Sequence, residues 1–209
     1  MIGAPQRGAC GSTNPAVAFE CRMPKSAHCE ISRLPVSIFP NARVRDMNID
    51  SVSRLEDLLS EPTPAVIETL ARVSGDILIL GVAGKMGLTL ARMARRAADA
   101  CGSKRRVIGV ARFSEPAHET QLRAHEVETI RCDLLDETAV ERLPDCPNVI
   151  FMAGMKFGST TSEPLTWAMN SYLPALVARK FARSQIVAFS TGNIYGLVPV
   201  RANSCSWPT

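Results

Sequence analysis

The sequence predicts an α/β fold: a doubly wound parallel sheet of about five strands, preceded by a short helical addition. Three observations carry this. Apolar runs at 76–81 (DILILG), 106–111 (RVIGVA), 127–132 (VETIRC), 148–153 (NVIFMA) and 185–190 (QIVAFS) are continuous rather than alternating. Strands read this way when helices cover both faces of a parallel sheet. Helical periods recur between them, at 86–100, 116–125, 136–143 and 164–183. Finally, the first run passes into Gly81-x-x-Gly84-x-x-Gly87 and then directly into LTLARMARRAADA, which is strand, glycine turn and helix in that order.

The elements follow from local signals. Residues 1–46 contain Pro5, Pro15, Pro24, Pro35 and Pro40 and no sustained period, so they read as a disordered leader, a targeting peptide, or sequence upstream of a true start at Met47. Residues 47–75 form the helical extension. Ser53-x-x-Glu56 is a capping box for RLEDLLS. Thr63 caps a second helix with Pro64 at its first position, Gly75 just past its end, and Val66, Ile67, Leu70 and Val73 on one face. This pair is expected against the sheet edge. Residues 76–198 hold the βα repeat, and in its first helix Leu90, Met93, Ala94 and Ala97 form the expected inner stripe, with Arg92, Arg95, Arg96 and Asp99 in water. Residues 199–209 have no period and read as an irregular tail.

Composition removes several function classes. The hydrophobic fraction of 46% and charged fraction of 21% suit a soluble globular chain. A net charge of +4, with no basic run interleaved with aromatics, argues against nucleic-acid binding. No stretch approaches the ~20 apolar residues of a membrane span. The seven cysteines are scattered without a C-x-x-C pair, and His28, His118 and His125 do not complete a zinc set. Reduced thiols and a cytoplasmic location are the expectation, with no metal.

The glycine turn has a chemical reading. Its backbone angles are open to glycine, a side chain at Gly84 would hold phosphates away, and the helix beginning near Met86 and Gly87 offers free N–H groups and a positive dipole end. The expected ligand is a dinucleotide. At the end of the second strand, where an acid usually meets the adenosine ribose, the sequence is Val110-Ala111-Arg112-Phe113-Ser114. Arg112, helped by Ser114 and Lys85, would pair with a 2′-phosphate, which favours NADP slightly over NAD; Arg112 is otherwise a solvated strand-end arginine. Asp133 either accepts from the adenine amino group, with Leu134 beneath the ring, or caps the turn into DETAVERL, where Asp136 is the better cap. Pro174 removes the N–H that would bond the Asn170 carbonyl, so the helix is expected to open or kink there.

From Asp76 to Val198 the chain resembles the extended short-chain dehydrogenase/reductases, the NAD-dependent epimerase/dehydratases, most closely the UDP-galactose 4-epimerase type. GVAGKMG at 81–87, RCDL at 131–134, FMAGMKFG at 151–158, Asn170 and FSTGNIYG at 189–196 carry the resemblance. It implies a Rossmann fold that binds NAD(P), with Met152, Ala153 and Gly154 along the nicotinamide ribose. It also implies Lys156 on cofactor or substrate, Asn170 orienting the site, and the Thr191 hydroxyl on the reacting oxygen of a nucleotide sugar or similar hydroxyl substrate. Tyr195-Gly196 matches the closing tyrosine-glycine pair rather than the catalytic tyrosine. Homodimers would pair through the helices around the fourth and fifth strands. The family's chemistry further requires a downstream Tyr-x-x-x-Lys, but the tyrosines here are Tyr172 and Tyr195, and neither is followed by lysine four positions on. The expectation is a C-terminally truncated, inactive member lacking its sixth strand and substrate region, or a dinucleotide-binding remnant acting as an interaction module.

Overall fold

A computed structural model describes residues 48–155 and 162–190. Two helices come first, α1 (Val52–Leu59) and α2 (Pro64–Arg72). There follow β1 (Ile77–Leu80), α3 (Gly87–Ala100), β2 (Val107–Ala111), α4 (Pro116–Ala124), β3 (Glu128–Arg131), α5 (Glu137–Glu141) and β4 (Asn148–Phe151). After α6 (Glu163–Trp167), a π-helical turn (Ala168–Tyr172) and α7 (Leu173–Lys180) comes β5 (Gln185–Ala188). The strands form one all-parallel sheet in the order β3-β2-β1-β4-β5. The order reverses beside β1, so the α/β doubly wound expectation holds and the switch point lies between β1 and β4.

Strand pleating divides the core into two layers. Leu78 and Leu80 of β1 join Ile108, Val110, Val149 and Phe151 with Leu173, Val177 and Phe181 on one face. Ile77 and Ile79 join Val107, Ala111, Ala91, Ala94 and Leu122 on the other. Every residue of β1 and β2 is buried because helices cover both faces, which is why these runs do not alternate.

Several local expectations need correction. The cap of α1 is Ser51, whose hydroxyl accepts from the Arg54 N–H, and Ser53 lies inside the helix. The Glu56 carboxylate instead accepts from Gln121 Nε2 on α4, a long-range partner that overrides the local box. Thr63 and Asp136 cap α2 and α5 as expected, accepting from the N–H groups of Val66 and Ala139. The buried stripe of α3 is Gly87, Ala91, Ala94, Ala97 and Ala98, with Leu90 and Met93 only half-buried. Small side chains bring this helix close to the sheet.

The helical pair rests on α3 rather than on the sheet edge. Arg92 pairs with Asp57, and Arg96 reaches the Asp57 carbonyl (2.9 Å), Ser60 Oγ (3.0 Å) and Glu61. Two of the arginines expected in water are therefore the joints of an added helical layer. Arg105, just before β2, is buried and donates through Nη2 to the carbonyls of Leu70 (2.6 Å) and Val73 (2.5 Å) at the end of α2. Its cation suits the negative end of a helix dipole.

Candidate dinucleotide cleft

The carboxyl ends of β1, β2, β3 and β4 surround a cleft of about 410 Å³ at the switch point. The protein's own packing requires Gly81 and Gly87 but not Gly84. Gly81 has φ +87°, and a Cβ there would lie 2.7 Å from the Ala153 nitrogen. A Cβ on Gly87 would lie 2.1 Å from the Val82 carbonyl oxygen, so this glycine lets α3 start against the strand. A Cβ on Gly84 would meet nothing nearer than the Gly81 carbonyl at 3.5 Å. The protein itself does not exclude a side chain at Gly84, which lines the cleft; a ligand lying across the turn would. The α3 N-terminus has no side-chain cap, and of its first amides the Gly87 N–H donates to the Gly84 carbonyl (3.0 Å). An uncapped helix start facing a glycine cradle fits the pyrophosphate of a dinucleotide.

Around the cleft, β1 supplies Gly81, Ala83 and Gly84; β2 supplies Ala111 through Glu115; and β3 supplies Cys132, Asp133 and Leu134. The end of β4 supplies Met152, Ala153 and Gly154. Arg112 is exposed and has no hydrogen bond or ion pair among the described residues. Asp133 Oδ1 accepts from the Leu135 N–H (3.0 Å), while Oδ2 has no partner among the described residues. One carboxylate thus both closes the turn before α5 and keeps an acceptor at the cleft. Leu134 is buried at its floor. Burial, with the charges of Asp133 and Asp136, pushes the Cys132 thiol above its ordinary range, so it stays protonated.

Other expected site residues lie off the cleft wall. Lys85 and Met86 are exposed, and Gly87 is buried beneath the turn. Asn170 sits in the π-helical turn, where Leu173 N–H reaches back to the Ala168 carbonyl. Pro174 cannot donate to the Asn170 carbonyl, and the helix widens at the residue where the sequence indicated an opening. The Asn170 amide grips Met155, four residues beyond β4: Oδ1 accepts from Met155 N–H and Nδ2 donates to the Met155 carbonyl, both at 2.8 Å. It acts here as a brace for the backbone next to Gly154. Lys156 and Thr191 fall outside the described residues, as do Tyr195 and Gly196.

Sequence reasoning missed Phe113, Glu115, His118 and Met169 as cleft residues. Phe113 is buried with φ +48°, and this left-handed backbone turns the chain so that Arg112 and Ser114 stay exposed on either side of it. Glu115 stands one residue past the Val110-Ala111-Arg112-Phe113-Ser114 segment, which holds no acid. Its Oε2 lies 3.2 Å from His118 Nε2.

A family comparison completes the assignment: residues 77–206 match the NAD dependent epimerase/dehydratase family. The chain belongs to this family. No curated protein matches it. Among solved structures it is similar to the Helicobacter pylori ADP-L-glycero-D-manno-heptose-6-epimerase, at 19% identity and TM-score 0.49, over 62% of this chain and 43% of that one. It is also similar to the Bordetella bronchiseptica enzyme WbmF in complex with NAD+ and UDP, at 17% identity and TM-score 0.46, over 63% of this chain and 40% of that one. The chain therefore spans less than half the length of either neighbour. Among the described residues no helix is long and apolar enough to cross a membrane, and no group of three or more His, Cys, Asp or Glu side chains could hold a metal ion.

Proposed function

We propose that the chain binds a nicotinamide dinucleotide in this cleft, and that the reaction of its lineage is hydride transfer on a nucleotide sugar or related hydroxyl compound. The observation that carries the binding half is Gly84, a cleft-lining glycine at which the protein itself would admit a side chain. In this reading the turn and the α3 N-terminus hold the pyrophosphate, Asp133 Oδ2 accepts from the adenine amino group, and Leu134 lies under the ring. Met152 to Gly154 follow the nicotinamide ribose, with Asn170 holding the adjoining backbone. Arg112, with Ser114 and Lys85, favours a 2′-phosphate and so NADP over NAD. The dinucleotide, when bound, supplies the hydride acceptor or donor.

Thr191 would donate to or accept from the substrate's reacting oxygen, and Lys156 would contact cofactor or substrate. The proton that accompanies hydride transfer needs an acid–base group of the Tyr-x-x-x-Lys kind, and residues 1–209 do not contain that motif. These 209 residues alone are therefore expected to bind dinucleotide without turnover. Fluorescence titration with NADH and NADPH tests the binding half. Saturable binding with NADPH at least as tight as NADH is expected, and no binding of either would refute the reading. Product from any nucleotide sugar with this polypeptide alone would overturn the expected lack of turnover.

A further inference from the structure

We propose that Glu115 and His118 form a proton-operated selector for the 2′ substituent of the adenosine ribose, an inference that rests on the dinucleotide reading above. Arg112, Ser114, Glu115 and His118 line one corner of the cleft, where β2 turns into α4. Glu115 is the N-cap residue of α4, yet its side chain makes no capping hydrogen bond. Its carboxylate faces His118 at 3.2 Å, and both side chains retain solvent access, at 65% and 28%. Arg112 beside them has no charged partner among the described residues. The corner thus holds a fixed cation, an anion and a titratable group.

Two charge states follow. With the imidazole neutral, Glu115 is a full negative charge beside Arg112; it repels a 2′-phosphate and can accept from a 2′-hydroxyl. With the imidazole protonated, Glu115 is engaged in an ion pair and the corner has net positive charge, which favours phosphate. Histidine is the side chain suited to move between these states near neutral pH.

The surrounding charges leave this pair as the variable element. Asp133 shares the cleft from the β3 side. On β3, Arg131 is held by Glu119 of α4. On α3, Arg92 is held by Asp57. Lys85, in the turn before α3, is exposed.

The test is fluorescence titration of the full 209-residue chain with NADH and with NADPH at pH 6 and pH 8, for wild type, His118→Gln and Glu115→Gln. The 2′-phosphate gains charge as pH rises, which by itself strengthens NADPH binding, and His118→Gln reports that effect alone. At pH 6 the wild type should bind NADPH about fivefold more tightly than His118→Gln, the size of one unit charge acting through a solvated corner. At pH 8 the two should agree, and at pH 6 the wild type should bind NADH less tightly than His118→Gln, because an ion-paired Glu115 is a poorer acceptor for the 2′-hydroxyl. Glu115→Gln should raise NADPH affinity at pH 8 and weaken NADH binding. Equal NADPH affinity of wild type and His118→Gln at pH 6 would overturn the selector and leave dinucleotide binding intact. So would a change that affects NADH and NADPH alike, which would mark His118 as a packing residue. If neither nucleotide binds at any pH, the dinucleotide reading fails and takes the selector with it.

Discussion

The two halves of the sheet are built differently. On the β3-β2-β1 side, β1 and β2 are fully buried, and the joining arginines are matched to carboxylates: Arg106 to Glu128 at the foot of the strands and Arg131 to Glu119 beside the cleft. On the β4-β5 side, all four residues of β5 are exposed, and Ile186, Val187 and Phe189 present apolar surface. The same βα repeat thus yields a closed half that would hold the adenosine and pyrophosphate, and an open half toward the nicotinamide position. The difference teaches that most of the cleft wall comes from residues just past β1, β2 and β3, with Met152 to Gly154 beyond β4 closing it. The β4-β5 half depends on a brace from Asn170 in the helical segment that follows β4 and on a strand with little cover.

The sharpest challenge to this contrast uses the glycine turn. Gly87→Val forces a Cβ against the Val82 carbonyl and is expected to cost more than about 3 kcal/mol, measured by urea unfolding. Gly84→Val should unfold at nearly the wild-type urea midpoint and lose NADPH binding. If it unfolds as readily as Gly87→Val, the open cradle is not what Gly84 provides.

A matched pair addresses the two halves directly. Val110→Ala on β2, where the side chain is fully buried, should cost about 2 kcal/mol. Val187→Ala on β5, 60% exposed, should stay within about 0.5 kcal/mol. Equal costs would mean that β5 is covered in solution.

Asn170→Ala removes both bonds to Met155 and is expected to cost about 1–2 kcal/mol. Faster amide hydrogen exchange at Met155 should accompany it. Unchanged exchange would show that β4 holds this segment without the brace.

The smallest effect is on pH dependence. The hydrogen bond from Arg106 holds Glu128 below its ordinary carboxylate value of 4.5. A depressed folded-state value means that this stabilisation is present above pH 4.5 and is lost as pH falls through the folded-state value. Because the pair is half exposed, its contribution should be under about 1 kcal/mol. Glu128→Gln should flatten the acid limb of stability slightly. A variant with the same acid limb as wild type would show the pair to be fully screened.

How much was legible in the sequence depends on the range of the signal. Strand runs, the glycine turn, the Thr63 and Asp136 caps and the opening at Pro174 all depend on neighbours within a turn or two. The expected continuous helix over 164–183 broke into α6, a π turn and α7 at that opening. The capping box at Ser53 failed because Glu56 had a partner 65 positions away in Gln121. Glu115 and His118 were invisible as cleft residues because their place depends on the left-handed turn at Phe113 and on β3 lying beside β2.

The sequence by itself determined the element order, the family and the position of the glycine turn, because periodicity, glycine spacing and proline chemistry act locally along the chain. Only the tertiary structure decided that α1 and α2 lie on α3, that Asn170 reaches Met155, and that Arg112 shares its corner with an acid and a histidine. Those facts come from strand order and from side chains many residues apart meeting in space, and no local period encodes such a meeting.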